Sequence, residues 1–187
     1  MKSLYNFIVK PLDGKLYDNV KKFEGGDLIM SSSIENHEVT NRFGVVIATP
    51  IYYDGPVSVG DTVVVHHNVF RKYYDVKGVE QYGAGLIKDD MYSVDPFQVF
   101  MYKGVGDWNT IDPYCFVSPM ENDNDWDIAS EKELYGVMEY PNEYMITQDV
   151  SKGVVIGFRP DSEYEFNING QKLYRVNSNN ICLAQEK

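Results

Sequence analysis

Two cysteines and three histidines in 187 residues are a thin supply of reactive and metal-binding side chains. Cys115 and Cys182 lie far apart, and no CxxC or HxxxH occurs. A structural zinc site needs four ligands at short spacing, so no metal is expected. His66 and His67 are adjacent in an apolar run. Neighbours on a strand leave opposite faces, so this pair is not expected to share an ion. His37 stands alone in a polar stretch. Each cysteine sits in an apolar, strand-like run, and both read as buried thiols. No GxxxxGK[ST], GxGxxG or GxSxG occurs, so neither an enzyme nor a cofactor is expected.

Long apolar runs are also missing. None approaches the ~20 residues that span a bilayer. The start, MKSLYNFIVKP, holds no apolar stretch long enough for a signal peptide, and a cytoplasmic location is expected. Basic residues are few, 17 against 28 acidic, for a net charge of −11. Phosphate binding relies on Lys and Arg, so nucleic acid is not an expected partner. The stretch Asn68–Gly78 mixes aromatics with Arg71, Lys72 and Lys77. Stacking plus charge suits single strands, but strand pairing is the commoner use. Asp123 to Asp127 alternates carboxylates in the manner of a calcium loop. Counted from Asp123, positions six and twelve of an EF-hand fall on Ile128 and Leu134, where Gly and a carboxylate are required. A solvated acidic loop is the expectation.

Aromatics are plentiful, with fifteen Tyr, nine Phe and two Trp, and they favour strands. Short apolar runs such as NFIVKP, FGVVIATP, DTVVVHH and GVVIGF are separated by Gly, Pro, Asn and Asp. That pattern predicts an all-β fold. NING, Asn167–Gly170, predicts a hairpin. The window SEKELYGVMEY starts like a helix, but Gly136 and β-formers follow at once.

The runs repeat in order. FIVKP matches CFVSP at an offset of 108, and GVVI from Gly44 matches GVME from Gly136 at 92. VVV from Val63 matches VVI from Val154 at 91, and MYSVDPFQVFMY matches LYRVNSNNICLA at 82. One fold present twice is expected, at 1–103 and 113–187, with a seam between Lys103 and Pro113 and longer insertions in two loops of the first copy. Strand alternation places Val46, Val64, Val94, Val137, Val155 and Val176 in the interiors. The larger insertion, 23–43, carries an apolar triplet, Leu28, Ile29 and Met30, after Gly25 and Gly26, between polar, flexible flanks.

A strand ending in VKP, a loop with GG and an apolar triplet, then GVVIATP and VSVGDTVVV resembles the GroES (chaperonin-10) co-chaperonin family. The resemblance covers about residues 5–102. The second copy resembles the barrel alone. Asp27, between the glycines and the triplet, departs from the family pattern, and IYYDGP is too short for the family's roof hairpin. Tandem copies with a short roof are similar to co-chaperonin-like proteins of bacteriophages. The resemblance implies two tandem GroES-like β-barrels and binding without chemistry. It implies a homo-oligomer that docks on a chaperonin ring through Gly25, Gly26, Leu28, Ile29 and Met30, in the host cytoplasm if phage-encoded. The alternatives are that the triplet packs on its own barrel as an edge strand, or that the chain is a bacteriophage virion component, capsid or tail, built on the same barrel. No membrane partner is expected.

Overall fold

The computed structural model describes residues 2–17, 20–23, 26–29, 39–122 and 131–185; for 20–23 and 26–29 it describes the backbone alone. The acidic stretch Asp123 to Asp127 and His37 lie outside the described residues. The chain divides into two compact units, Met1–Asp107 and Trp108–Lys187.

The first unit holds β1 (Phe7–Pro11), β2 (Val20–Phe23), β3 (Gly26–Ile29), β4 (Phe43–Ala48) and β5 (Thr62–Val65). It continues with β6 (Lys72–Tyr74), β7 (Glu80–Tyr82), β8 (Leu86–Lys88), β9 (Met91–Val94) and β10 (Val99–Lys103). The second holds β11 (Asn109–Thr110), β12 (Tyr114–Glu121), β13 (Glu131–Tyr140), a short helix α1 (Glu143–Thr147), β14 (Val155–Phe158), β15 (Tyr164–Ile168), β16 (Gln171–Asn177) and β17 (Ile181–Gln185). The fold is all-β, and SEKELYGVMEY is strand β13. NING turns at Asn169 and Gly170, both with positive φ, between the paired Ile168 and Gln171. That is the hairpin its Asn-Gly dipeptide favours.

The sheet order in the first unit is β8-β9-β1-β4-β5-β10, and in the second it is β15-β16-β12-β13-β14-β17. The orders coincide strand for strand, and so do the registers of the central strands. Pro11 pairs with Gly44, and Pro119 with Gly136. Val9 pairs with Tyr92, and Val117 with Tyr174. The ladder slips at Ile8/Val9 in one unit and at Phe116/Val117 in the other, which are equivalent positions. After β9 and β16 each unit makes a 3-10 turn capped by its preceding residue. Asp95 accepts from Phe97 N–H at 2.9 Å, and Asn177 accepts from Asn179 N–H at 3.0 Å.

Three expected offsets, 108, 92 and 82, agree with these pairs. The fourth is corrected. Gly44 pairs with Val63 and Gly136 with Ile156, so Val63 corresponds to Ile156, an offset of 93 rather than 91. Backbone bonds repeat in this frame: Gly60 N–H donates to Val46 O and Gly153 N–H to Met138 O. Both glycines have positive φ, +97° and +93°.

The frame also corrects the interior. Val46, Val64, Val94 and Val176 are buried, but Val137 and Val155 are half-buried. The counterpart of Val46 is Met138, which is fully buried, and Ile156 is the buried residue of β14. A one-residue slip exchanges the faces of a strand. The second core gathers Cys115, Val117, Met138, Met145, Ile156 and Val176. Helix α1 supplies Met145, its first turn held by Asn142 Oδ1, which accepts from Met145 N–H at 2.8 Å.

Among the described residues no closed barrel is found: β8 does not pair with β10, nor β15 with β17. The edge strand β8 is only three residues long, and four of the five residues of β17 are exposed. That exposure overturns the expectation for Cys182, which is exposed, while Cys115 is buried. The histidine pair is also corrected. Strand β5 ends at Val65, so alternation does not govern His66 and His67, and their rings stack at 4.2 Å.

Val64→Asp, which buries an unpaired carboxylate costing several kcal/mol, should abolish the cooperative thermal transition seen by circular dichroism. Val155→Asp, on a half-exposed position, should still melt cooperatively. Equal behaviour of the two variants would overturn this frame. Burial pushes the Cys115 thiol pKa up to about 12, and the thiolate is the reactive form. Ellman's reagent should therefore modify one thiol in the native chain and two after denaturation, and Cys182→Ser should remove the native reaction.

Candidate partner-binding site

The offsets locate what the first unit has and the second lacks. Between β1 and β4 it is longer by 16 residues, and between β5 and β9 by 11. The first excess contains β2 and β3, and the second contains β6 and β7. Each pair is a two-stranded antiparallel sheet of its own, not hydrogen-bonded into the large sheet.

Of the expected docking residues, Gly25 and Met30 lie outside the described residues. Gly26, Leu28 and Ile29 form β3 with Asp27. They stand opposite Phe23, Lys21 and Val20 respectively, and Asp27 stands opposite Lys22. The expectation of an irregular loop from residue 23 is corrected: the regular segment begins at Val20. Lys21 and Lys22 interrupt the apolar pattern there and concealed the strand in the sequence.

The stem of this hairpin is clasped. Tyr17 bridges to Thr40, Asn41 N–H donates to Leu16 O at 2.9 Å, and the Asn41 side-chain amide donates to Lys15 O at 2.6 Å. Asn41 Oδ1 accepts from Phe43 N–H at 2.9 Å, which starts β4. The two insertions meet at one phenol: Lys72 N–H donates to Tyr17 Oη at 2.8 Å. Burial raises the Tyr17 pKa, and the bond from Lys72 N–H opposes that rise. Nothing in the sequence signals this role, since residues 17 and 72 meet only through the tertiary fold.

The β6–β7 hairpin is braced at its turn and along one side. Asp75 accepts from Lys77 N–H at 2.8 Å and Val79 N–H at 2.9 Å, and Gly78 takes positive φ. Lys72 Nζ meets Glu80 at 2.8 Å and lies 4.8 Å from the centre of the Tyr82 ring. The bond to Glu80 raises the Lys72 pKa. The DVKG stretch carries the turn signal, because Asp folds its side chain onto amides two residues on.

A separate cleft of about 450 Å³ opens in the second unit, lined among others by Glu131, Leu134, Phe158, Asp161 and Tyr174. Leu134 takes φ +62°, an outlier for a bulky side chain, where β13 slips past β12 between the Pro119–Gly136 and Glu121–Glu131 pairs. Lys172 bonds Glu131 at 2.7 Å and Glu165 at 3.3 Å, and the Tyr174 hydroxyl donates to Glu131. Burial pushes the Glu131 pKa up, but the bonds from Lys172 and Tyr174 outweigh it and hold the carboxyl low. Among the described residues no three His, Cys, Asp or Glu come together as metal ligands.

No protein-family model matches the chain, and no curated protein is significantly similar to it in sequence. The described geometry is one of pinned hairpins, exposed aromatics and paired charges.

The Asp75 bonds lower its pKa. A carboxyl lower in the folded state stabilises above its unfolded value, about 3.9, and loses that effect as pH falls through the folded value. In a pH titration followed by NMR, the Lys77 and Val79 amides should move together with a midpoint below about 3.9. Independent movements, or a midpoint at the ordinary value, would remove Asp75 as the organiser of the turn.

Proposed function

We propose that this chain is a co-chaperonin-like protein, of the kind bacteriophages encode, that docks on a chaperonin ring through the β2–β3 hairpin and assists folding by binding rather than chemistry. The observation that carries this reading is the contrast between the units. Strand order agrees throughout and the central registers agree, yet the apolar triplet and its glycines occur only in a clasped insertion of the first. A segment that the scaffold does without is free to serve a partner. The resemblance to the chaperonin-10 family adds support at Val57–Asp61. There Val57 is buried, Gly60 takes positive φ, and Asp61 Oδ2 accepts from Ser58 N–H at 2.8 Å.

Burying Leu28, Ile29 and Met30 on a partner contributes about 1.5–3 kcal/mol each. Ordering the loop costs about 1–2 kcal/mol per residue fixed. One copy therefore binds weakly, and a homo-oligomer facing a symmetric ring binds through effective concentration. A second reading is a virion component, capsid or tail, on the same scaffold. The open sheets favour it, as does residue stretch 51–56, which holds no strand where the family has its roof hairpin.

Leu28, Ile29 and Met30 all replaced by Ser should leave the melting temperature nearly unchanged and abolish co-sedimentation with a chaperonin ring. Loss of several kcal/mol of stability would show that the triplet is core. A wild-type chain that ignores its cognate chaperonin, and is stoichiometric in purified particles, would replace this reading with the virion one.

A further inference from the structure

The β6–β7 hairpin is stiffly braced, yet the scaffold does not require it, since the second unit forms the same sheet without a counterpart. It leaves Tyr73, Tyr74, Val76, Val79 and Tyr82 exposed. Beside these side chains lies a cavity of about 240 Å³ lined by Asn68, Arg71, Tyr73, Gly83 and Ala84. Gly83 lies tight against the neighbouring backbone: a Cβ there would sit 2.9 Å from Asn68 O and 3.0 Å from Val69 O.

Arg71 lines this cavity, and its Nε is buried with no hydrogen-bond partner among the described residues. A buried N–H without an acceptor is costly, the more so on a charged group. Lys72, next in sequence, is engaged by Glu80 at 2.8 Å, and among the described residues no such carboxylate serves Arg71 Nε. Guanidinium groups bind carboxylates through two parallel N–H bonds, and the Arg71 side chain lines the cavity.

Charge distribution favours the same ligand. Residues 66–88 carry Arg71, Lys72, Lys77 and Lys88 against Asp75 and Glu80, a local charge of +2 in a chain of −11. A short acidic segment sees the basic hairpin. A long polyanion also meets the acidic remainder, and interactions between exposed charges fade beyond about 8–10 Å.

We propose that this cavity is a recognition site for an acidic segment of a protein partner. A Glu or Asp side chain enters beside Asn68 and bonds Arg71, and a neighbouring apolar residue of the partner lies on Tyr73, the aromatic ring that lines the cavity. The site is distinct from the β2–β3 hairpin and does not depend on the chaperonin reading.

The chain has four arginines, so its Nε–H signals are few enough to follow by NMR. The full-length protein would be titrated with acetyl-Tyr-Glu-Leu-Glu-amide, with the same peptide carrying Gln for Glu, and with a ten-residue oligothymidylate. The acidic peptide should shift the Arg71 Nε–H signal saturably, and the Gln peptide should leave it in place. Arg71→Lys, which keeps the charge and loses the paired bonds, should weaken binding roughly tenfold. Tyr73→Ala should weaken binding while preserving the thermal transition, a second arm if Arg71→Lys fails to fold. No saturable shift, an equal response to the Gln peptide, or tighter binding of the oligonucleotide would each overturn the proposal.

Discussion

In each unit two strands approach so closely that only glycine fits. A Cβ on Gly44 would lie 2.3 Å from Val9 Cγ1 and 2.9 Å from Lys10 O. On Gly136 it would lie 2.8 Å from Val117 Cγ2 and 3.0 Å from Ser118 O. These contacts sit where a proline of the central strand faces the glycine. Pro donates no N–H to a ladder, and the ladder slips two or three residues away in both units. Slips of this kind bend a strand and raise its twist. The bend lets Val9 and Val117, both fully buried, lie under their sheets while their neighbours reach a second strand on the other side. The capped turn and the positive-φ glycines recur in the same frame.

Where the frames coincide, the chain is constrained by packing. Where they differ, extra chain is spent on separate two-stranded sheets that rest on the scaffold through few bonds. Tyr17 joins the two additions by accepting from the Lys72 backbone N–H. Isolated hairpins are marginal in water, so a clasp at the stem of one and a carboxylate in the turn of the other are what such additions require. The second unit spends its irregularity differently, on the slip around Leu134 and the Lys172–Glu131–Tyr174 cluster.

The β character, the Asn-Gly hairpin and most of the repeat were legible because they rest on local pattern. Proline opposite glycine survives in both copies and fixed two offsets. The valine-rich strands were less legible. Val63, Val64 and Val65 are all buried, so the run has no alternation to set its phase, and it matched the second copy two residues out of frame. That error, and an alternation phase one residue off in β13, put the half-buried Val155 and Val137 in the interior. Cys182 looked buried because its strand is apolar, but strand position decides exposure: its counterpart Phe100 is buried, whereas β17 is exposed. The glycines and triplet marked the first insertion. The strand they join did not show, because two lysines break its apolar pattern. Arg71 was visible as a cation in an aromatic stretch, but its unmet Nε depends on tertiary packing.

Strands β1 and β12 each lie inside their sheet yet precede its other strands in sequence, and this orders events at the ribosome. Strand β1 needs β9 on one side, and Asn6 bonds Ser93, 87 residues later. In the second unit Cys115 bonds Val176 across 61. At about 5–20 residues per second, the amino-terminal strand waits roughly 4 to 17 seconds for its far neighbour. Throughout that interval Phe7, Ile8 and Val9 have at most one flank covered. The amino-terminal half is thus the part of the nascent chain most open to capture or misassociation, and the half that follows closes over a shorter span.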